Sequence, residues 1–275
     1  RLPANWVSKV VRPVTGTTEY NETVFSAGID GSLLTLPAGP LSFFLGAEFR
    51  KADIDDTPGL DSQTGNTYNF STAAITRGKD AVREVFGEIE APLLRDMPFA
   101  HELSLSASAR WTDYDSYGDD TTYKIGLNYA PVEGVLFRAT YGTSYRAPAL
   151  FEQFLGATAG FIASTNDVCN NYDATTTNPN RAANCASQGL PAGFTATSSV
   201  RVLQAGGAAA GLSAETSTNF TGGIVLTPTL PESFGRLAFA VDYYKIELDN
   251  SVSQVGAAYI LSQCYNSSQA EFAAR

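Results

Sequence analysis

The chain has one histidine, one methionine and three cysteines among 275 residues. No apolar run approaches the roughly 18 residues that a membrane-crossing helix needs. With a single histidine, hydrolytic chemistry has little to work with. A Ser–His–Asp arrangement would have to run through His101, and no G-x-S-x-G or Walker signature is present. No enzyme and no cofactor are expected. Basic side chains are also scarce: 18 Lys and Arg against 28 Asp and Glu give a net charge of -10. No basic face is available to neutralise phosphates, so nucleic acid is not an expected partner. The opening residues Arg1–Trp6 hold neither an apolar leader core nor a start methionine, and read as the inside of a longer chain.

The three cysteines divide unevenly. Cys169 and Cys185 lie in one stretch rich in Asn, Thr and Ala, which reads as a disulfide-closed loop formed in an oxidising compartment. Closing such a loop contributes roughly 3 kcal/mol in the chain-entropy model. The spacing is not that of a CxxC pair and His101 is far away in sequence, so no metal site is expected. Cys264 is left over. The acidic run Asp113–Asp120 echoes the start of a calcium loop, but Lys124 stands where the bidentate Glu belongs, and a solvated hairpin tip is the better reading.

What the chain does have is aromatic side chains (16 Phe, 13 Tyr), 24 Gly, and period-two alternation in long runs. Leu103, Leu105, Ala107, Ala109 and Trp111 alternate with Ser104, Ser106, Ser108 and Arg110. Leu41, Phe43, Leu45, Ala47 and Phe49 alternate with Ser42, Phe44, Gly46, Glu48 and Arg50. The same pattern places Val135, Phe137, Ala139, Tyr141 and Tyr145 opposite Leu136, Arg138, Thr140, Gly142 and Ser144. It places Leu237, Phe239, Val241 and Tyr243 opposite Asp242 and Tyr244. Eight strands are expected, near residues 22–36, 40–53, 79–93, 102–115, 121–130, 134–146, 215–228 and 236–248.

Several runs exceed the 5–6 residues usual in soluble sheets and suit the roughly 9–11 of a tilted membrane strand. Short turns (36–40, 95–100, 130–134, 228–235) alternate with long loops (53–79, about 147–213, beyond 249), the tip at 115–120 being the one short member of the second set. That asymmetry, with Phe49, Trp111, Tyr129, Tyr145 and Tyr243 near strand ends, is the pattern of an antiparallel transmembrane β-barrel. The fold class is all-β. Eight strands can close a small barrel, but the long loops and the unmatched cysteine suit a segment of a larger one. Helical periodicity appears only in the tail, over 255–263.

Four blocks carry a resemblance. Tyr141–Phe154 reads Y-G-T-S-Y-R-A-P-A-L-F-E-Q-F, and is similar to the "FRAP-S-L-x-E-L-F" block of TonB-dependent receptor barrels at Arg146, Pro148, Leu150 and Glu152, with Tyr145 replacing Phe. Leu212–Phe220 resembles "L-K-P-E-T-S-x-N-Y" at Glu215, Thr216, Ser217 and Asn219, with Ala214 where Pro is common. Val241–Glu247 resembles "V-D-Y-Y-x-I" through Asp242, and Glu84–Leu94 fits the strand that enters a periplasmic turn. The blocks fall in the family's order and cover most of residues 20–265.

The resemblance implies part of a barrel of about 22 strands, a separate plug, energisation by the TonB complex, and uptake of a scarce nutrient across the outer membrane of a Gram-negative bacterium. The nutrient would be a ferric siderophore, another metal chelate or an oligosaccharide. A passive porin is the alternative. The implied partners are outer-membrane lipid and lipopolysaccharide, the plug, TonB and a small-molecule nutrient. Glu48, Arg50, Glu84, Glu88, Arg110 and Arg138 are expected to face the lumen. The Arg146–Glu152 block is expected to turn the chain back toward that lumen, since Pro148 cannot donate to a ladder.

Overall fold

The computed structural model describes residues 6–68, 71–175, 178–204, 206, 211–231 and 235–274. Its centre is one antiparallel sheet whose strands follow chain order: β1 (Thr17–Leu36), β2 (Gly39–Thr57), β3 (Thr76–Met97), β4 (Ala100–Tyr114), β5 (Gly118–Val132), β6 (Val135–Arg146), β9 (Glu215–Leu226) and β10 (Phe239–Asp249). β1 and β10 are its two edges. The connections at one end are tight. Gly134 supplies a left-handed φ of 83° between β5 and β6, and a Cβ there would meet the Thr227 carbonyl at 2.7 Å. The β9–β10 turn, expected over 228–235, falls partly outside the described residues.

The register makes every strand two-faced. Residues directly opposite across an antiparallel pair point to the same side. The row Ile29–Leu45–Gly87–Ala109 is apolar, as is Gly31–Phe43–Ile89–Ala107–Ile125–Tyr141–Phe220. The next row on the other face is Ser32–Ser42–Glu90–Ser106–Gly126–Thr140–Thr221. The apolar face has nothing packed on it: Phe25 is 67% exposed, Ile29 61% and Val241 70%. A continuous exposed apolar sheet face of this extent needs a non-aqueous neighbour. No helix among the described residues is long and apolar enough to cross a membrane.

Several elements differ from those expected. β1 starts at Thr17 and β3 runs from Thr76 to Met97, longer than the alternation indicates at both. Where β2 and β3 extend beyond the aromatic zone, Asp53–Lys79 and Asp55–Arg77 pair directly and both faces turn polar. Pairing continues there without a hydrophobic period to betray it. At the other end of the sheet, β9 stops at Leu226 and β10 starts only at Phe239.

The stretch 147–213 is not structureless. It holds helices Leu150–Phe154 and Pro179–Ser187 and a small sheet of β7 (Thr158–Ile162) with β8 (Val200–Gln204). Cys169 and Cys185 form a disulfide at the centre of a small core with Tyr172, Leu190 and Phe194. The tail helix spans Ala257–Asn266, later than the periodicity over 255–263 suggests, and packs on Pro179–Ser187. Asn184, fully buried, donates to the carbonyls of Tyr265 and Ser267 at 3.0 Å, and Arg181 reaches Asn266 and Ser262. Cys264 is a free thiol.

Candidate functional site on the polar face

The polar face is assembled by register. Glu48 of β2, Glu84 of β3 and Thr112 of β4 stand in one row, and Phe86 and Arg110 in the next. Glu84 is buried, and its carboxylate accepts from Arg110 Nη1 at 3.0 Å and Thr112 Oγ1 at 2.8 Å. A buried carboxylate demands such partners. The Arg110 guanidinium also lies 4.3 Å from the Phe86 ring centre, and Phe86 stacks on Phe44 at 5.8 Å. Those two rings lie over Gly46, where a Cβ would meet Phe86 at 2.6 Å. Phe44, Phe86, Glu88, Ser108, Arg110 and Lys124 line a recess of about 330 Å³, in which Glu88 stays exposed.

Arg50 lies toward the long-loop end. It sits 4.0 Å from Glu48 and donates to the Tyr114 hydroxyl at 3.5 Å. Tyr20, Arg50, Asp80, Tyr114, Leu150 and Gln153 surround a second recess of about 200 Å³. Its roof is the Leu150–Phe154 helix, folded over the polar side of β2 and β3. Gln153 holds it there, donating to Asp80 (3.2 Å) and to the Pro148 carbonyl (2.6 Å). Phe154 lies against Gly78, where a Cβ would collide with its ring. Tyr117, from the β4–β5 tip, leans into the same region. Burial, then the Asp80 and Glu152 carboxylates, raises its phenol above the ordinary value.

The residues of the sequence blocks gather around one guanidinium. Arg146 pairs with Glu152 (3.0 Å) and with Glu215. Glu152 also accepts from the Ala149 amide (2.7 Å), and Glu215 from the Val252 amide (2.6 Å). One cation thus ties the end of β6, the helix after it, the start of β9 and the segment after β10. Pro148 and Leu150 are buried beneath this group, Asn219 faces Gly142 across the ladder, and Thr216 pairs with Asp249. Arg138 and Asp242 form a two-pronged pair (2.9 and 2.6 Å) that reaches over β9, where Gly223 has no side chain to block it.

Tyr145 departs from its expected place on the apolar face. β5 and β6 pair only as far as Lys124–Gly142, and beyond that point the Tyr145 ring packs on Tyr114 at 6.1 Å. Gln153, Tyr114, Tyr20 and Gly223 were not legible as site residues. Gln153 carried a weak signal, a polar side chain inside an otherwise apolar turn after Pro148.

A continuous antiparallel sheet with one unpacked apolar face and one polar, ion-paired face is the wall of an outer-membrane β-barrel. The model for "TonB dependent receptor-like, beta-barrel" matches residues 4–272, and the chain belongs to that family. It is a receptor barrel of the Gram-negative outer membrane and not an enzyme. A 50-residue stretch is 38% identical to the vitamin B12 transporter BtuB of Vibrio cholerae, covering 18% of this chain and 8% of the transporter. The fold is similar to the ferric enterobactin receptor PfeA of Pseudomonas aeruginosa in a mutant form, with a TM-score of 0.52 at 18% identity, covering 85% of this chain and 27% of that one. Another PfeA mutant structure, in complex with enterobactin, gives a TM-score of 0.51 at 18% identity over 84% and 27%. The chain therefore spans well under a third of the length of these relatives.

Proposed function

We propose that this chain forms about eight strands of the wall of a larger, plugged barrel that takes up a scarce nutrient with energy from the TonB complex. Its polar face is the lumen wall. The observation that carries this is the Arg146-centred fold of the β6–β9 loop, which sends the Leu150–Phe154 helix over the polar face and narrows the passage beneath it. A narrowed, charged lumen suits a captured ligand better than free diffusion. Glu48, Arg50, Glu84, Glu88, Arg110 and Arg138 then face the plug and ligand. The substrate class is a metal chelate or corrinoid, in line with the ferric enterobactin receptor and the vitamin B12 transporter to which the chain is similar.

The test is uptake of radiolabelled ferric siderophores, cobalamin and oligosaccharides by cells carrying the full-length receptor, with and without TonB. Saturable uptake that vanishes without TonB supports the reading. Uptake proportional to concentration and indifferent to TonB would make the barrel a passive porin.

A further inference from the structure

The wall opens between β5 and β6 at the long-loop end. β4–β5 pairing continues to Tyr114–Gly118 and β6–β9 pairing to Arg146–Glu215, yet β5–β6 pairing stops at Lys124–Gly142. This is a closed-off opening and not a frayed edge. Successive odd residues of β5 turn their amides toward β6. The Tyr123 amide donates to Thr143 Oγ1 (3.2 Å) and the Thr121 amide to Asp120 Oδ1 (2.6 Å). Side chains thus take the hydrogen bonds that the neighbouring strand would otherwise take, and the opening needs no further strand.

The slot so formed holds about 200 Å³. Its walls are hydroxyls and carboxylates: Thr121, Thr143, Thr218, Ser217, Asp120 and Asp249. Thr143 accepts one bond and keeps its own proton to donate. Thr121 shares the apolar face with its cross-strand partner Trp111, which is 40% exposed, and Thr143 shares a face with Thr218. Below them on β5 and β6 lies the Tyr123–Tyr141 ring pair, 6.2 Å apart. Clustered hydroxyls that donate and accept, carboxylates for paired acceptance and a flanking aromatic platform are the chemistry that recognises a saccharide. Its C–H face packs on a ring while its hydroxyls are bonded.

We propose that the slot between β5 and β6 binds a saccharide, held by the hydroxyls of Thr121, Thr143 and Thr218 and the carboxylates of Asp120 and Asp249, with Trp111 as its aromatic platform. The site lies above the apolar band, apart from the polar-face recesses. It admits two sources of the same chemistry, the head sugars of an outer-leaflet glycolipid or a free oligosaccharide.

The test uses the full-length receptor as purified, together with its Thr143→Val/Thr218→Val variant and, separately, Asp249→Asn. Folding of each is checked by mobility on unheated gels. Asp249→Asn, at an exposed position, keeps the test decisive if the double variant fails to fold. Two probes are used: lipopolysaccharide retained through purification, counted by native mass spectrometry, and its deacylated core oligosaccharide, titrated calorimetrically. Removing two hydroxyl bonds is expected to weaken retention or binding about tenfold. Loss confined to the intact lipid identifies a glycolipid site, and loss with the free oligosaccharide identifies a soluble-saccharide site. Folded variants that keep wild-type retention and binding, or a wild type that binds neither probe, would overturn the proposal.

Discussion

Arg146 is where contacts between separate loops converge, and its two carboxylate partners come from positions 6 and 69 residues further along the chain. Its planar fork engages both at once, which a lysine ammonium does not reproduce. Arg146→Lys in the full-length receptor is therefore expected to behave nearly as Arg146→Ala. Both should raise the rate of limited proteolysis within 147–213 about fivefold, with the strands left intact. Equal rates for wild type and both variants would remove the structural role assigned to Arg146.

Gly78 makes a complementary case. Gly78→Ala drives a methyl into the Phe154 ring and should cost about 1–3 kcal/mol of helix docking. The double variant Gly78→Ala/Phe154→Ala should recover part of that loss, measured by hydrogen exchange over 148–156. Absence of any coupling would mean that Phe154 is not seated there. Arg146, Pro148, Leu150 and Glu152 were visible in the sequence as a block, and the direction of the bend followed from Pro148. Gln153 and Gly78 were not, because their roles depend on two segments 73 to 76 residues apart meeting in space.

Among the elements, the strands were the most legible. Alternation locates a strand wherever one face meets lipid and the other water. It fails where both faces are wet, and the upper ends of β2 and β3, with Asp53, Asp55, Arg77 and Lys79, were underestimated for that reason. It also misplaced Tyr145, since a break in pairing such as the one beyond Lys124–Gly142 leaves no trace in one strand's own pattern. β7 and β8 are five residues each and too short for a period to register.

Within the loops, the Cys169–Cys185 bridge holds a core that docks on the tail helix through Asn184 and Arg181. Reduction, or Cys169→Ser/Cys185→Ser, should loosen this unit by about 3 kcal/mol. The expected readout is faster hydrogen exchange in Pro179–Ser187 and Ala257–Asn266 together, with β3 and β4 unchanged. Exchange that rises in the strands as well would show that the loop is not an independent unit.

At the scale of the whole molecule, the two faces of the sheet have opposite tolerances. Leu105 stands mid-strand on the apolar face, and Leu105→Arg should cost roughly 2–4 kcal/mol of stability in a bilayer. Ser106→Arg, one residue on, should cost little. Reversible unfolding from lipid vesicles measures both, and similar costs for the two would contradict the assignment of faces. The most direct test of that assignment is a nitroxide scan of Leu103 to Ala109 in the full-length receptor, reconstituted in bilayers and carrying Cys264→Ser to remove the free thiol. The account predicts high accessibility to dissolved oxygen at 103, 105, 107 and 109, and to an aqueous relaxation agent at 104, 106 and 108. Accessibility without that period of two, or water at both sets of positions, would contradict the reading of this chain as a membrane barrel wall.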